Sequence, residues 1–256
     1  MTGLVAFNNE FDNATTITAS AAHADFPKEN AYDWIPATQW KPGAAGSQDL
    51  EAIMPANTSV DFFGIAAHNL GTEGCTVTFQ YSSNNGSTWN NFATAITPTD
   101  DSPILRYVTT PVNVDYYRIL ITNCTADAVI GVAAFGAALP LPQAIEPGSW
   151  APAPFARKNT INTNISNKGV FMGRSIEQEG IDGLIVQNLV DPAWIRSNWL
   201  SFAQHGEQKP FFYSWNVESY EDEAGLYWGP SGFPRPEYMA SNPLFMSFNI
   251  PLNGAY

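Results

Sequence analysis

Residues 76–89 read TVTFQYSSNNGSTW, and the alternation in the first six positions decides the fold class. Val77, Phe79 and Tyr81 alternate with Thr76, Thr78 and Gln80, which puts three apolar side chains on one face of a half-buried strand. Asn84-Asn85-Gly86 then supplies the left-handed backbone positions of a tight hairpin turn. Outward from this hairpin, further apolar runs fall at Val60 to Ala66, Arg106 to Thr109, Tyr116 to Thr122 and Val129 to Phe135, separated by Gly, Pro and Asn signals. Many short strands punctuated in this way predict a β-sandwich.

The whole chain has the composition of a folded protein. Its 256 residues are 45% apolar and 13% aromatic, enough to bury a real core and to exclude disorder over most of the length. Twenty-four acids against 11 Lys and Arg give a net charge of −13, which excludes duplex nucleic-acid binding and a polybasic membrane contact. The longest apolar run, Ala128 to Leu139, contains Gly131 and Gly136. It is shorter than the roughly 20 residues a spanning helix needs, so no membrane insertion is expected. Met1 to Asp12 has neither a basic nor a continuous apolar region, so a secretory leader is not expected and folding in a cytoplasm is. Cys75 and Cys124 lie far apart without metal-ligand spacing, and two buried thiols are favoured over a disulfide.

Pro140, Pro142, Pro147, Pro152 and Pro154 crowd residues 139–155, a density that no helix interior or central strand accepts. The expected division is therefore residues 1–138, a linker over 139–155, and residues 156–256, with the two modules separable at the linker. In the second module Asp191 reads as a helix N-cap with Pro192 at the first helical position. Ile195, Trp199 and Phe202 then share one face, and Gly206 closes the helix. Phe211, Tyr213 and Trp215 alternate as a strand, as do Met246, Phe248, Ile250 and Leu252. The predicted class is mainly all-β: an N-terminal sandwich and a C-terminal β-rich module carrying one α-helix.

Two resemblances add to this reading. Asn30-Ala31-Tyr32-Asp33, Thr38-Gln39-Trp40-Lys41, the strand Val60 to Ala66, Tyr81 to Trp89, Tyr117-Arg118-Ile119 and the closing run to Phe135-Gly136 resemble, in that order, the galactose-binding-like, discoidin-type jelly roll. The helix, Lys209 to Asn216, the acidic loop and the final strand resemble the tube-like β-barrel domain of tailed-bacteriophage distal-tail and tail-adaptor proteins, and Ala66 to Gly71 looks like virion versions of the jelly roll. Together they imply a virion protein made in the host cytoplasm and placed in the tail, tail tip or baseplate. Its implied partners are further copies in a homo-oligomeric ring, other phage tail proteins and a host-surface glycan. The alternative is a carbohydrate-binding module protein. Calcium is not carried over, because Ile130 to Gly136 holds no carboxylate.

No catalytic constellation emerges. His23, His68 and His205 show no metal-binding spacing and read as surface or structural residues, and no nucleophile elbow or phosphate-cradling loop is present. An enzyme, a cofactor and a metal are not expected. The candidate glycan contacts are Trp34, Trp40, Asn30 and Asp33, although the same residues serve equally to close one end of a sandwich. Glu218, Glu221, Asp222 and Glu223 form a solvated loop or a subunit contact, joined by Trp228. Few basic residues of this chain stand ready to answer them, so their partner is expected elsewhere.

Overall fold

The computed structural model describes residues 3–43, 46–144 and 152–255. The first half contains strands β1 (Leu4–Ala6), β2 (Thr16–Ala19), β3 (Gly46–His68), β4 (Thr76–Ser82), β5 (Asn90–Asn91), β6 (Ile104–Cys124), β7 (Ile130–Gly136) and β8 (Leu139–Pro140). The second contains β9 (Thr160–Ile165), β10 (Phe171–Gln178), β11 (Ile181–Val190), helix α1 (Pro192–Gly206), β12 (Phe211–Ser214), β13 (Gly225–Trp228), β14 (Glu237–Met239) and β15 (Asn242–Ala255). Every pairing among the strands is antiparallel. The mainly β class expected from sequence is what the chain adopts.

The sandwich rests on two long strands. The first part of β3 pairs with β2 and its last part with β7, while β6 runs alongside through both. Sequence punctuation reads these as several short strands, because Pro55 and Pro111 interrupt the runs. The structure instead absorbs both prolines beside register shifts, at Ile53/Thr58 and Val60/Phe62, where a missing N–H donor costs no ladder bond. Between the layers the Phe63 ring stacks on Phe79 and Phe135 at centroid distances of 4.9 and 5.3 Å. The turn after β4 has left-handed Asn85 and Gly86, as the sequence predicts.

Cys75 and Cys124 are disulfide-bonded, which corrects the expectation of two thiols. The start of β4 and the end of β6 are neighbours in the sheet, with Thr76 opposite Thr122, so the pairing that sequence distance hides is imposed by register. Closing a span of 49 residues restricts the unfolded chain by about 4 kcal/mol on the loop-entropy relation.

The second sheet runs β11-β15-β13-β12-β1-β8, with β14 on β15. Its path has two ends among the described residues, so the barrel-like module is an open sheet. Helix α1 begins as read from sequence: the Asp191 carboxylate accepts the Ala193 N–H at 2.7 Å and Pro192 opens the first turn. Its buried residues are Ile195, Trp199, Phe202 and Gly206. Gly206 serves close packing and not a left-handed cap, since a Cβ there would lie 2.4 Å from the Phe233 ring.

The expected boundary at the linker does not separate two bodies. β1 pairs with β12, and β8 pairs with β1, so both the start of the chain and the beginning of the linker are strands of the second sheet. The rest of the linker over 145–151 lies outside the described residues. All four residues of β12 are buried, because the strand is covered twice. Phe211 and Tyr213 belong to the cluster under α1, whereas Phe212 joins Trp34, Phe62, Leu105 and Val132 of the sandwich. The modules therefore share a core, and residues 1–138 are not separable from the rest at the linker. Phe212→Ala should lower the unfolding free energy by about 3–5 kcal/mol. Urea unfolding followed by tryptophan fluorescence and by far-UV circular dichroism should give coincident single transitions for both proteins. Two resolved transitions in the unmodified chain would show that the shared face does not couple the sheets.

Candidate functional site

The residues singled out for glycan contact are placed inside. Trp34 is 2% exposed and Trp40 0%, so neither indole offers a face for ring stacking on a sugar. This corrects the glycan-contact expectation, and the cause is the second sheet: Trp34 packs edge-on against His205 at 5.0 Å and lies 6.0 Å from Phe212. Trp40 closes the sandwich, donating Nε1–H to the Ala21 carbonyl at 3.1 Å. Asn30 and Asp33 are used in closing their own loop. The Asn30 amide donates to the Gln39 carbonyl at 3.0 Å, and the Asp33 carboxylate accepts from the Ile35 N–H and the Thr38 hydroxyl, both at 2.7 Å.

The acidic loop has partners within the chain, which corrects the expectation that they lie elsewhere. Arg106, on β6, forms an ion pair with Glu221 through Nε at 3.1 Å and donates from Nη2 to Asp222 at 3.4 Å. Its side chain is only 10% exposed, and a guanidinium so withdrawn from water requires such carboxylates. Glu223 accepts from the Trp215 indole N–H. Glu218 and Trp228 stay at the surface, the latter beside a cleft with Lys158 and Glu179. The five residues expected to act as one contact are thus divided between internal and external roles.

Where the loop meets the sandwich, a cleft of about 400 Å³ opens beside Arg106. Thr97, Thr99, Asp100, Ser102 and Asp222 contribute its polar lining, and Ile96, Pro98 and Pro103 its apolar walls. The Ser102 hydroxyl oxygen is buried and has no hydrogen-bond partner among the described residues. Sequence reasoning passed over Arg106, Asp100 and Ser102, because the contact between residues 106 and 222 spans 116 positions.

The loop that lines the cleft is held rigidly. Asp101 accepts the Gly71 and Thr72 N–H groups at 2.9 and 3.0 Å and the Thr72 hydroxyl at 2.6 Å. Burial pushes its carboxyl up, but those bonds from Thr72 and Gly71 outweigh it and hold the group below its ordinary value. Gly71 is required there, because a Cβ would lie 2.1 Å from the Asp100 carbonyl oxygen. His68 fastens the other side. Its Nδ1 accepts the Leu70 N–H at 3.2 Å, which fixes a neutral tautomer whose Nε2–H donates to the Ser102 carbonyl at 2.9 Å. Burial pulls its pKa down despite the nearby Asp101 and Asp100. His205, under Trp34 and Phe7, is lowered in the same way by burial.

Among the described residues, no group of three or more His, Cys, Asp or Glu is arranged to hold a metal ion, and no helix is long and apolar enough to cross a membrane. No family model matches this sequence. No curated protein matches it either. Among solved structures, the chain is similar to a pectin-binding carbohydrate-binding module, with 19% identity over 48% of this chain and 91% of that one at a TM-score of 0.40. It is similar to chitosan-binding module 1 from a chitosanase/glucanase of Paenibacillus sp. IK-5, with 19% identity over 51% and 99% at a TM-score of 0.42. A third is the module CpGH89CBM32-6 of Clostridium perfringens, with 12% identity over 50% and 98% at a TM-score of 0.42.

The two buried histidines make stability depend on pH. Their folded pKa values lie below that of the unfolded chain, about 6.5, so stability is complete above that pH and is lost as pH falls toward the folded values. The urea midpoint should therefore drop between pH 7 and 5, and His68→Gln should reduce that slope. An unchanged slope in the variant would remove His68 as one of its causes.

Proposed function

We propose that this chain is a non-catalytic carbohydrate-recognition protein whose ligand enters the cleft beside Arg106. The convergence of a buried guanidinium, exposed Asp222, Asp100 and three hydroxyl side chains on one open cleft carries this reading. Guanidinium N–H groups donate and carboxylates accept, and vicinal sugar hydroxyls do both. Because two carboxylates already answer Arg106, the site offers an anion no surplus positive charge, which favours a neutral polyol. Ile96 and the prolines supply apolar walls for the C–H faces of a sugar ring. The disulfide supports a working place outside a reducing cytoplasm.

A second reading is a structural component of a tailed-phage virion, in the tail, tail tip or baseplate, that assembles into a ring and presents the sandwich outward. The β9–β10 hairpin favours it, since this pair forms a separate two-stranded sheet with exposed Ile, Phe and Met side chains, a form suited to contact between subunits. In this reading the glycan belongs to a host surface. Antibody raised against the chain should then label tails in electron micrographs of purified particles, and particles free of the chain would reject this role.

Carbohydrate recognition is tested with the full chain on an array of neutral oligosaccharides, followed by calorimetry on any ligand found. Asp222→Asn removes a charged acceptor whose side chain is 94% exposed and leaves Glu221 on Arg106, and the melting temperature of the variant verifies its folding. Loss of one charge-assisted hydrogen bond is worth about 1.5–3 kcal/mol, and the dissociation constant should rise by about ten- to a hundredfold. An array without specific binding, or equal affinity in the variant, would reject the cleft as the sugar site.

A further inference from the structure

Residues 160–178 leave the second sheet as an arm. β9 and β10 pair only with each other among the described strands, and β10 runs on through Glu179 and Gly180 into β11 at the edge of the sheet. Register fixes which side chains share a face: Ile165 lies opposite Phe171, Thr163 opposite Arg174, and Ile161 opposite Ile176. With alternation along each strand, Ile161, Ile165, Phe171 and Ile176 fall together on one side, with Thr163 and Arg174 between them. Asn162, Asn164 and Ser175 fall on the other. The arm is thus amphipathic in the manner of a half-buried sheet, yet the four apolar residues are between 48% and 61% exposed. Two strands alone are at best marginally stable in water, so a partner surface over the apolar side is what such a pattern serves.

Charge indicates the partner. The arm, residues 160–178, holds Lys168, Arg174 and Glu177, a net charge of +1, with Arg157 and Lys158 just before it, so with a total of −13 the rest of the chain carries −14. Two arms meeting face to face would oppose like charges, whereas an arm meeting the remainder of another copy would oppose unlike ones. The acidic loop supplies such a surface, with Glu218 exposed, Tyr220 49% exposed, and a cleft of about 290 Å³ between Tyr107, Val217 and Glu218 beside it.

We propose that the apolar face of the β9–β10 arm docks on a second copy of this chain, head to tail, against the acidic surface around Glu218 and Tyr220. The two contact surfaces are different parts of one chain, so the contact is heterologous and repeats into a closed ring or a filament. The contact holds whichever ligand the cleft beside Arg106 takes.

Sedimentation equilibrium on the full chain over a range of concentration and salt tests it. The unmodified chain should form species larger than a monomer, and these should weaken as salt rises. Ile165→Ser with Phe171→Ser should raise the dissociation constant at least about tenfold. Lys168→Glu with Arg174→Glu should do the same, and mixing this variant with Glu218→Lys should restore association. All these side chains are exposed, so unchanged melting temperatures verify folding. A monomer under every condition would overturn the proposal, including when the arm instead meets a different protein. Association untouched by the arm variants, or by the charge exchange, would overturn it equally.

Discussion

Burial of β12 on both faces is the constraint on which the rest of the structure depends. In a strand successive side chains point to opposite sides, so Phe211 and Tyr213 can fill the cluster under α1 only if Phe212 points at the sandwich. A fully exposed phenylalanine there would forgo about 1.5–3 kcal/mol of burial, and the sandwich supplies the cover. Gly64 makes the fit possible: a Cβ at that position would lie 2.7 Å from the Phe212 ring, so only a residue without one lets β3 come this near. β1 then sits beside β12, and the chain returns as β8 to pair with β1. The segment between β1 and β8 is the sandwich itself, which is why the two sheets cannot be taken apart at the proline-rich stretch.

That arrangement also creates the candidate site. Once β12 is pressed against the sandwich, the loop after it, carrying Glu221 and Asp222, comes to rest over β6 where Arg106 emerges. The cation belongs to one sheet and its two carboxylates to the other, so the charges serve first to close the seam. The cleft beside them inherits a polar lining from that closure and a rigid wall from the bonds of His68 and Asp101. Recognition of a neutral ligand needs this kind of preorganisation, because each side chain that must be ordered on binding reduces the affinity.

What was legible in the sequence was local. Asp191-Pro192, the spacing of Ile195, Trp199 and Phe202, and the left-handed pair Asn85-Gly86 each state their structure within a few residues, and all three are found as read. The strand pattern of β15 is legible for the same reason, with Phe248, Ile250 and Leu252 buried. What escaped depends on residues far apart. The Cys75–Cys124 bond follows from the register of β4 on β6, the place of β1 follows from β12 some two hundred positions later, and the ion pairs of Arg106 follow from the meeting of two sheets. Trp34 illustrates the limit most directly. Its own loop gives it the appearance of an exposed ring at the end of a sandwich, and only the arrival of His205 and Phe212 from the second sheet covers it.

The same accounting of faces isolates the arm. β12 is covered on both sides, β15 turns Phe248 and Ile250 to the helix cluster, and the sandwich strands meet around Phe63, so the apolar alternation of those strands finds its cover inside the chain. β9 and β10 have the same alternation without such cover. A merely solvated hairpin would place polar residues on both faces, and the asparagines and serine on one side show that this chain has the means to do so. Three isoleucines and a phenylalanine aligned by register on the other side, around Arg174, have the composition of a contact. Attraction between Lys168 and Arg174 and the acidic surface would act within the contact, while the apolar face would fix the bound position once water is excluded.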